Sequence, residues 1–410
     1  MNDSPTPAPL KADVSGTPAP SLADWLSRVA EVGSVAEAAA VEADRARKLS
    51  TDVMDALHAR QMFRLLLPAA LGGYEIRLPD YFRIMEALAS FDASTAWCTC
   101  QGNCCAMTAG YMPLDVGQEI WGRDARAVLA WGPGKAEADV VDGGYRLTAK
   151  AAFASGSHHA TWLGAHGSAV RETDGSLRPG VGDKPEVRTL LFPAEQTEIV
   201  ETWDVMGLRG TGSDAYEVED LYVPEAHSVV RATMFENRPS HGMSTLFAFP
   251  QMSVHAIGFA ATATGAARGF IDAFLEMAQT KTPRLHTSPL RDNQVVQDDV
   301  ARAEARLSAG RAWLMQEAEA AWQEVEDQGS LTIRQRNRIR LSATHAIHEA
   351  KGAVDLLYDS AGTSAVFADG PFERRFRDIH MIAQQIQGRK AHYRSVGSWM
   401  LGHDPDMGVI

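Results

Sequence analysis

Apolar residues change their period twice along the chain. From Ser21 to about residue 122 the period is helical: SVAEAAAVEADRARK is alanine-rich, and Tyr81, Ile84, Met85 and Leu88 recur in steps of three and four. Ser21 stands three residues before Asp24, the spacing of a capping box with an acidic partner, so a helix is expected to begin there. Ser50 or Thr51 is expected to cap a second helix and Asp80 a third, with LLLPAALGGYE between them as a loop broken by Pro68, Gly72 and Gly73. From about residue 125 to 223 the helical period is lost. AVLAW, RLTAKAAFASG, TWLGAHG, RTLLF and YEVEDLYV read as short strands, and Asp142-Gly143-Gly144 is a hairpin signal. After Pro224 helix returns over 251–279, 293–326, 333–361 and 372–402, where Val296, Val300, Ala303, Leu307 and Leu314 form an apolar stripe for bundle packing.

The pattern makes an α+β chain of three segments behind a tail: residues 1–20 disordered, 21–124 an N-terminal helical domain, 125–228 a β domain and 229–410 a C-terminal helical bundle. The tail reads MNDSPTPAPLKADVSGTPAP, rich in proline and small polar residues and without the basic and apolar regions of a secretory signal. Charge narrows the partners. With 39 basic and 52 acidic side chains among 410 residues the net charge is −13, which argues against a nucleic-acid surface. No apolar run approaches the roughly 18–20 residues of a membrane span, so no membrane partner is expected. Cys98, Cys100, Cys104 and Cys105 are the only cysteines. They cluster in AWCTCQGNCCAMTAG, whose texture is that of a buried helix, so they read as small hydrophobes in a cytoplasmic protein and not as metal ligands. No glycine-rich nucleotide loop follows a strand, and neither a P-loop nor H-E-x-x-H is present.

Three segments carry candidate chemistry. FASGSHHATW places Ser155, Gly156, Ser157 and His158 at a strand end, where small hydroxyl residues beside glycine let a flat ligand approach. MGLRGTGSDAYEVEDLYVP places Arg209, Thr211 and Ser213 in a loop rich in backbone donors, a cradle for an anion or a ring edge. GPFERRFRDIHMIAQQIQ carries Arg374, Arg375 and Arg377 with His380, the side chain best suited to proton transfer near neutral pH. Each segment also has a plain structural explanation: a strand terminus, a turn, and ion pairs on a helix.

Taken together, these segments resemble the acyl-CoA dehydrogenase superfamily over residues 25 to 402. PAALGGYE resembles the family's P-x-x-x-G-G segment, VDGGYRLTAKAAFASG its hairpin ending in [ST]-[NS]-G, and MGLRGTGSDAYEVEDLYVP its G-x-R-[GS]-[ST]-x-[ST] stretch. The resemblance implies an N-terminal helical domain, a central β-barrel and a C-terminal four-helix bundle, in a homotetramer with flavin between domains. It implies that Ser155 bonds the flavin near N5. Trp131, Gly132, Gly156, Ser157, Arg209, Thr211 and Ser213 become further cofactor contacts, and Arg284 a phosphate contact.

The family's dehydrogenases need a carboxylate base. Where they carry Y-E-G-[TS] this chain reads AQQIQG, with Gln384, Gln385 and Gln387, and the earlier helix that supplies the base in other members reads PQMSVHAIGFA, without an acid. The segment YDSAGTS also departs from the family's Q-x-x-G-G. FASGSHHATW and RDIHMIAQQ instead resemble the flavin-dependent, two-component monooxygenase branch, with His380 in R-D-x-H and Gln384 near the place of a second histidine. That resemblance implies an oxygenase component that takes reduced flavin, FADH2 or FMNH2, from a separate NAD(P)H flavin reductase. Through a C4a-hydroperoxyflavin formed with O2 it would hydroxylate a small aromatic or indole-like substrate. Ser155 and His380 are the expected catalytic residues, and Trp97, Asn103, His158, Phe247, Phe249 and Gln384 the expected substrate wall. The alternatives are an acyl-CoA dehydrogenase-like oxidase or desaturase with a non-standard base, and a scaffold that kept the fold without the chemistry.

Overall fold

The computed structural model describes residues 20–182, 184–231, 244–408 and 410; of the expected tail at 1–20, residues 1–19 lie outside the described residues. The N-terminal helices are α1 (Leu22–Ala46), α2 (Thr51–Ala59), α3 (Leu78–Phe91), α4 (Ala93–Ala106) and the short α5 (Leu114–Gly117). Ser21 and Asp24 form the capping box expected of them, and Ser50 caps α2 through the Val53 amide. Asp80 is not a cap. Helix α3 starts earlier, behind Arg77, with Pro79 in its first turn, and Asp80 pairs with Arg83 at 3.0 Å. Proline needs no intrahelical donor there, so it opened the helix one turn fraction sooner than the side-chain cap rule allowed.

The middle of the chain holds β1 (Leu129–Ala130), β2 (Gly134–Val141), β3 (Gly144–Ala151), β4 (Trp162–Arg171), β5 (Val187–Pro193), β6 (Glu198–Val200), β7 (Ala215–Pro224) and β8 (Ser228–Val230). The turn at 142–143 joins β2 to β3 as an antiparallel hairpin. The strand order is β6-β7-β3-β2-β4-β5-β8, with β1 parallel on β4. Among the described residues the expected barrel is not closed by its ladder: β6 and β8 end the path, and each is only three residues long. Irregular register at Leu147/Ala149 and His166/Ser168 bends the sheet. It curls far enough for the Tyr216 hydroxyl of β7 to donate to the Gly164 carbonyl of β4 at 2.6 Å, around a core containing Leu147, Leu163, Leu190 and Phe192.

The C-terminal helices are α6 (Gln251–Thr280), α7 (Gln294–Gln328), α8 (Ile333–Ala361), α9 (Glu373–Gln384) and α10 (Ala391–Met400). The run expected as one helix over 372–402 is two, because Gln385 is extended and its side chain caps the Gln387 amide, stopping α9. Helix α6 is the axis of the molecule. It packs against α3, α4, α7, α8 and α9 and is buried along most of its length. Close approach to α3 depends on Gly265, where a Cβ would sit 2.0 Å from the Glu86 carbonyl oxygen. Fully buried Phe259 and Phe270 each contribute about 1.5–3 kcal/mol of apolar burial. One continuous core joins the N-terminal helices to the bundle, and it runs past the open end of the sheet. Among the described residues no helix is long and apolar enough to cross a membrane.

Candidate functional site

At the end of β3 the chain turns sharply, with Phe153 at φ 56° and Gly156 at φ 79°. This brings Ser155 against the loop 208–214, and the Ala154 and Gly156 amides donate to the Asp214 and Thr211 carbonyls. From the other side α4 delivers Trp97. Its indole Nε1–H donates to Ser155 Oγ at 2.9 Å; Ser155 and Ser213 hydroxyls are 2.7 Å apart, as are Ser213 and Thr211, and Thr211 Oγ1 donates to the Leu208 carbonyl at 2.7 Å. The ends of this chain fix its direction, because an indole N–H only donates and a carbonyl only accepts. Protons therefore point from Trp97 to Ser155 to Ser213 to Thr211 to Leu208. Ser155 has spent its proton on Ser213 and one lone pair on Trp97, so what it offers a ligand is an acceptor.

The same loop is anchored from α9. The Leu208 amide donates to Asp378 Oδ1 at 2.6 Å, and Asp378 faces Arg374, which pairs with Asp92 at 2.6 Å. Burial pushes the Asp378 carboxyl up to about 6 although Arg374 pulls it down. Asp214 holds His158 Nε2 at 2.7 Å and accepts from the Thr202 and Trp203 amides. Burial pushes its carboxyl up, but these bonds outweigh that and leave it below the usual range. Ser157 donates to the Gly212 carbonyl, so its hydroxyl closes the loop.

Aromatic rings continue from the Ser155 end. Trp97 lies against Phe259 of α6 with centroids 4.1 Å apart, and His255 stands one turn back, 5.9 Å from Phe259. Trp131, just past β1, stacks on His166 at 5.0 Å and 5°. Gln101, one turn on from Trp97, ties the Trp131 carbonyl to α4 at 3.2 Å. Gly132 is obligatory: a Cβ there would lie 1.8 Å from the Ala152 carbonyl oxygen. Burial lowers His166 to about 3 and His255 to about 4, so both imidazoles are neutral. The four cysteines are buried free thiols on α4, and burial raises Cys98, Cys104 and Cys105. Among the described residues no cluster of His, Cys, Asp and Glu could hold a metal.

Several expected residues lie elsewhere. Arg209 is not an open cradle: its guanidinium binds the Asp44 and Val205 carbonyls and faces the Asp44 and Asp204 carboxylates. Asn103 points away from Trp97. It accepts from the Leu65 and Leu66 amides and donates to the Met62 and Thr99 carbonyls, leaving nothing for a substrate. Phe249 stacks on Trp322 at 5.6 Å in the bundle core, and Phe247 is buried with its carbonyl bound to Tyr111. Arg375 and Arg377 are held by Glu37, and by Glu373 and Asp44. His380 donates from Nδ1 to the Phe376 carbonyl and sets Nε2 3.2 Å from Asp355. Asp355 and Gln384 both line a cavity of about 500 Å³ between α7, α8, α9 and α10. Among the described residues no hydrogen bond or ring contact joins His380 to the Ser155 chain. Arg284 is exposed on the loop after α6 and makes no ion pair among the described residues. Gln101, Phe259, His255 and Asp378 were missed by sequence reasoning. A buried helical face of mixed small and aromatic residues carries no motif; Gln101, His255 and Phe259 lay in stretches quoted only for their cysteines or for a missing acid, and Asp378 lay in a segment quoted for its arginines and His380.

A reduced flavin fits this donor set. The ring's N5–H needs an acceptor, which the Ser155 lone pair supplies, and its flat faces need apolar neighbours, which the buried Trp97–Phe259 pair beside Ser155 offers.

Residues 257–388 match the family model described as Acyl-CoA dehydrogenase, C-terminal domain. The chain is 29% identical over 406 residues to an indole-3-acetate monooxygenase of Pseudomonas putida, covering 98% of both proteins. It is 28% identical over 358 residues to the oxygenase subunit HsaA, a flavin-dependent monooxygenase of Rhodococcus jostii, covering 83% of this chain and 88% of that one. In fold it is similar to XiaF from Streptomyces, solved in complex with FADH2 and glycerol, with a TM-score of 0.85, 23% identity and coverage of 94% of this chain and 96% of that one. Residues 257–388 thus resemble an acyl-CoA dehydrogenase C-terminal domain, and over nearly its whole length the chain is similar to monooxygenases, among them a flavin-dependent oxygenase subunit.

Proposed function

We propose that the chain is the oxygenase component of a two-component flavin-dependent monooxygenase that hydroxylates a small aromatic or indole-like ring, using reduced flavin and O2. The observation that carries the reading is the directed hydroxyl chain ending at Ser155, which offers an acceptor and no proton. An oxidised flavin has no N5–H to donate and a reduced one has, so the site favours the reduced cofactor, FADH2 or FMNH2. When bound, reduced flavin supplies the electrons that activate O2. Ser155 holds the N5 proton in place, Trp97 and Ser213 hold Ser155, and the walls of Trp97, Phe259 and Trp131 exclude water and receive a flat ring.

A dehydrogenase reading lacks its base. Gln385 and Gln387 occupy the segment where an acid would stand, and both are engaged, Gln385 with the Gln387 amide and Gln387 with Arg340. The relatives' own names, an indole-3-acetate monooxygenase and a flavin-dependent oxygenase subunit, support ring hydroxylation here. The reading carries with it a separate NAD(P)H flavin reductase, a homotetramer and a cytoplasmic setting. Mixing the protein with chemically reduced FMN or FAD, O2 and a panel of phenols and indoles, without NADH, tests it. A ring product that has gained oxygen from O2 is expected. Failure with every ring, or copurifying FAD bleached by an acyl-CoA, overturns it.

A further inference from the structure

Helix α6 is buried on nearly every side, yet His255 keeps 9% exposure while Val254, Ala256 and Ile257 keep none and Phe259 keeps 1%. His255 is the least enclosed of these neighbours on the helix. Its tautomer is fixed by geometry. Nδ1 lies 2.9 Å from the Gln251 carbonyl, an acceptor only, so Nδ1 carries the proton and Nε2 is a bare lone pair. Nε2 has no hydrogen-bond partner among the described residues. Through Phe259 and Trp97 the ring belongs to the same aromatic wall as Ser155.

A neutral acceptor two aromatic rings from the Ser155 hydroxyl has a specific use. We propose that His255 is a substrate-binding residue whose Nε2 accepts a hydrogen bond from a ring N–H or phenolic O–H, so that the pocket selects aromatic rings that carry a donor. The inference rests on the ring-hydroxylation reading and adds to it the residue that orients the ring. Burial and the nearby Arg340 charge keep the imidazole unprotonated, with its value near 4, and His166 is the other imidazole close enough to be felt. An acceptor held in that form cannot pair with an ether oxygen or a bare C–H, and leaving it unpaired in a dry pocket is unfavourable. Accepting from the donor also leaves more electron density on the ring, which favours attack by an electrophilic oxygen.

The test compares indole with benzofuran, which has the same shape and an oxygen where indole has N–H. Binding is measured by anaerobic equilibrium dialysis on the full chain with reduced FMN. The wild type is expected to hold indole about tenfold more tightly than benzofuran, the difference made by a buried hydrogen bond. His255→Asn keeps a donor for the Gln251 carbonyl but ends short of Nε2, and its preference is expected to fall to near parity. His255→Gln reaches the Nε2 position with a carbonyl oxygen and is expected to keep most of the preference. Because the readout is a ratio within one protein, partial loss of folded material does not disturb it, and the wild-type ratio stands even if a variant fails to fold. Equal binding of the two rings by the wild type, binding of neither, or an undiminished preference in His255→Asn overturns the proposal. Wild type that oxygenates phenols or indoles while showing no such preference removes this inference and leaves the ring-hydroxylation reading intact.

Discussion

Trp97 Nε1 stands 2.9 Å from Ser155 Oγ and can only donate to it, and because Thr211 spends its proton on the Leu208 carbonyl and Ser213 spends its own on Thr211, the serine proton points at Ser213. Alanine at position 155 would leave both the Trp97 N–H and the Ser213 oxygen short of a partner in a buried place, at a cost of about 1–3 kcal/mol. The expected outcome for Ser155→Ala is that loss in urea unfolding, together with less oxygenated product per reduced flavin oxidised. Ser155→Thr, which keeps the hydroxyl, should recover part of both. Unchanged coupling in Ser155→Ala would separate the hydroxyl chain from the chemistry.

Asp378 makes stability depend on pH with a sign opposite to that of most carboxylates. Burial raises its folded value to about 6 from 3.8, so the folded state holds this proton more tightly than the unfolded one. Its contribution is greatest below about pH 4 and declines as the pH rises toward 6, by up to roughly 1.4 kcal/mol per unit. Asp378→Asn keeps an oxygen for the Leu208 amide and does not titrate. Relative to that variant the wild type should lose stability between pH 4 and 6 and then run parallel to it. Unfolding curves that are parallel throughout would place the proton elsewhere.

The elements were legible where one residue governs a boundary. Ser21 and Ser50 announced α1 and α2, and Asp142-Gly143 announced the hairpin. Ser155, Ser213, Thr211 and Trp97 were named from sequence and do meet, because the resemblance aligns two loops that the sheet brings together. What stayed hidden depends on which face of a helix turns inward. Asn103 and Trp97 share α4, but Asn103 faces the Met62–Leu66 backbone. In α6 an acid was sought and His255 passed over, since a histidine in an apolar helix gives no sign of which ring nitrogen is bound. Arg209 looked free in the sequence because Asp44, which holds it, is far away along the chain.

Asn103 gives a prediction about folding alone. Its side chain closes four backbone groups at 2.7–3.3 Å between α4 and the segment after α2. Asn103→Ala should cost about 2–4 kcal/mol by stranding buried amides and carbonyls. Because none of these groups touches the Ser155 wall, the indole-to-benzofuran binding ratio of the folded fraction should be that of the wild type. A changed ratio would return Asn103 to the substrate wall, where sequence reasoning had put it.

His380 is the residue on which sequence and structure part most clearly. It follows Asp378 by two positions on α9, so the two side chains leave the helix roughly 200° apart. Asp378 takes the face toward Leu208, and His380 turns to Asp355 at 3.2 Å, with the Phe376 ring tilted against it at 4.2 Å. His380 and Asp355 are 21% and 40% exposed, a half-solvated pair worth less than about 1 kcal/mol. His380→Gln can still reach Asp355 through its amide, so unfolding should shift by less than that, and product formation should stay within about twofold of the wild type. Measuring single-turnover hydroxylation for His380→Gln beside His255→Asn decides which histidine serves the ring. A large loss in the first with reduced-flavin binding intact would bring the Asp355 face of α9 into the reaction and make its cavity with Gln384 part of the site.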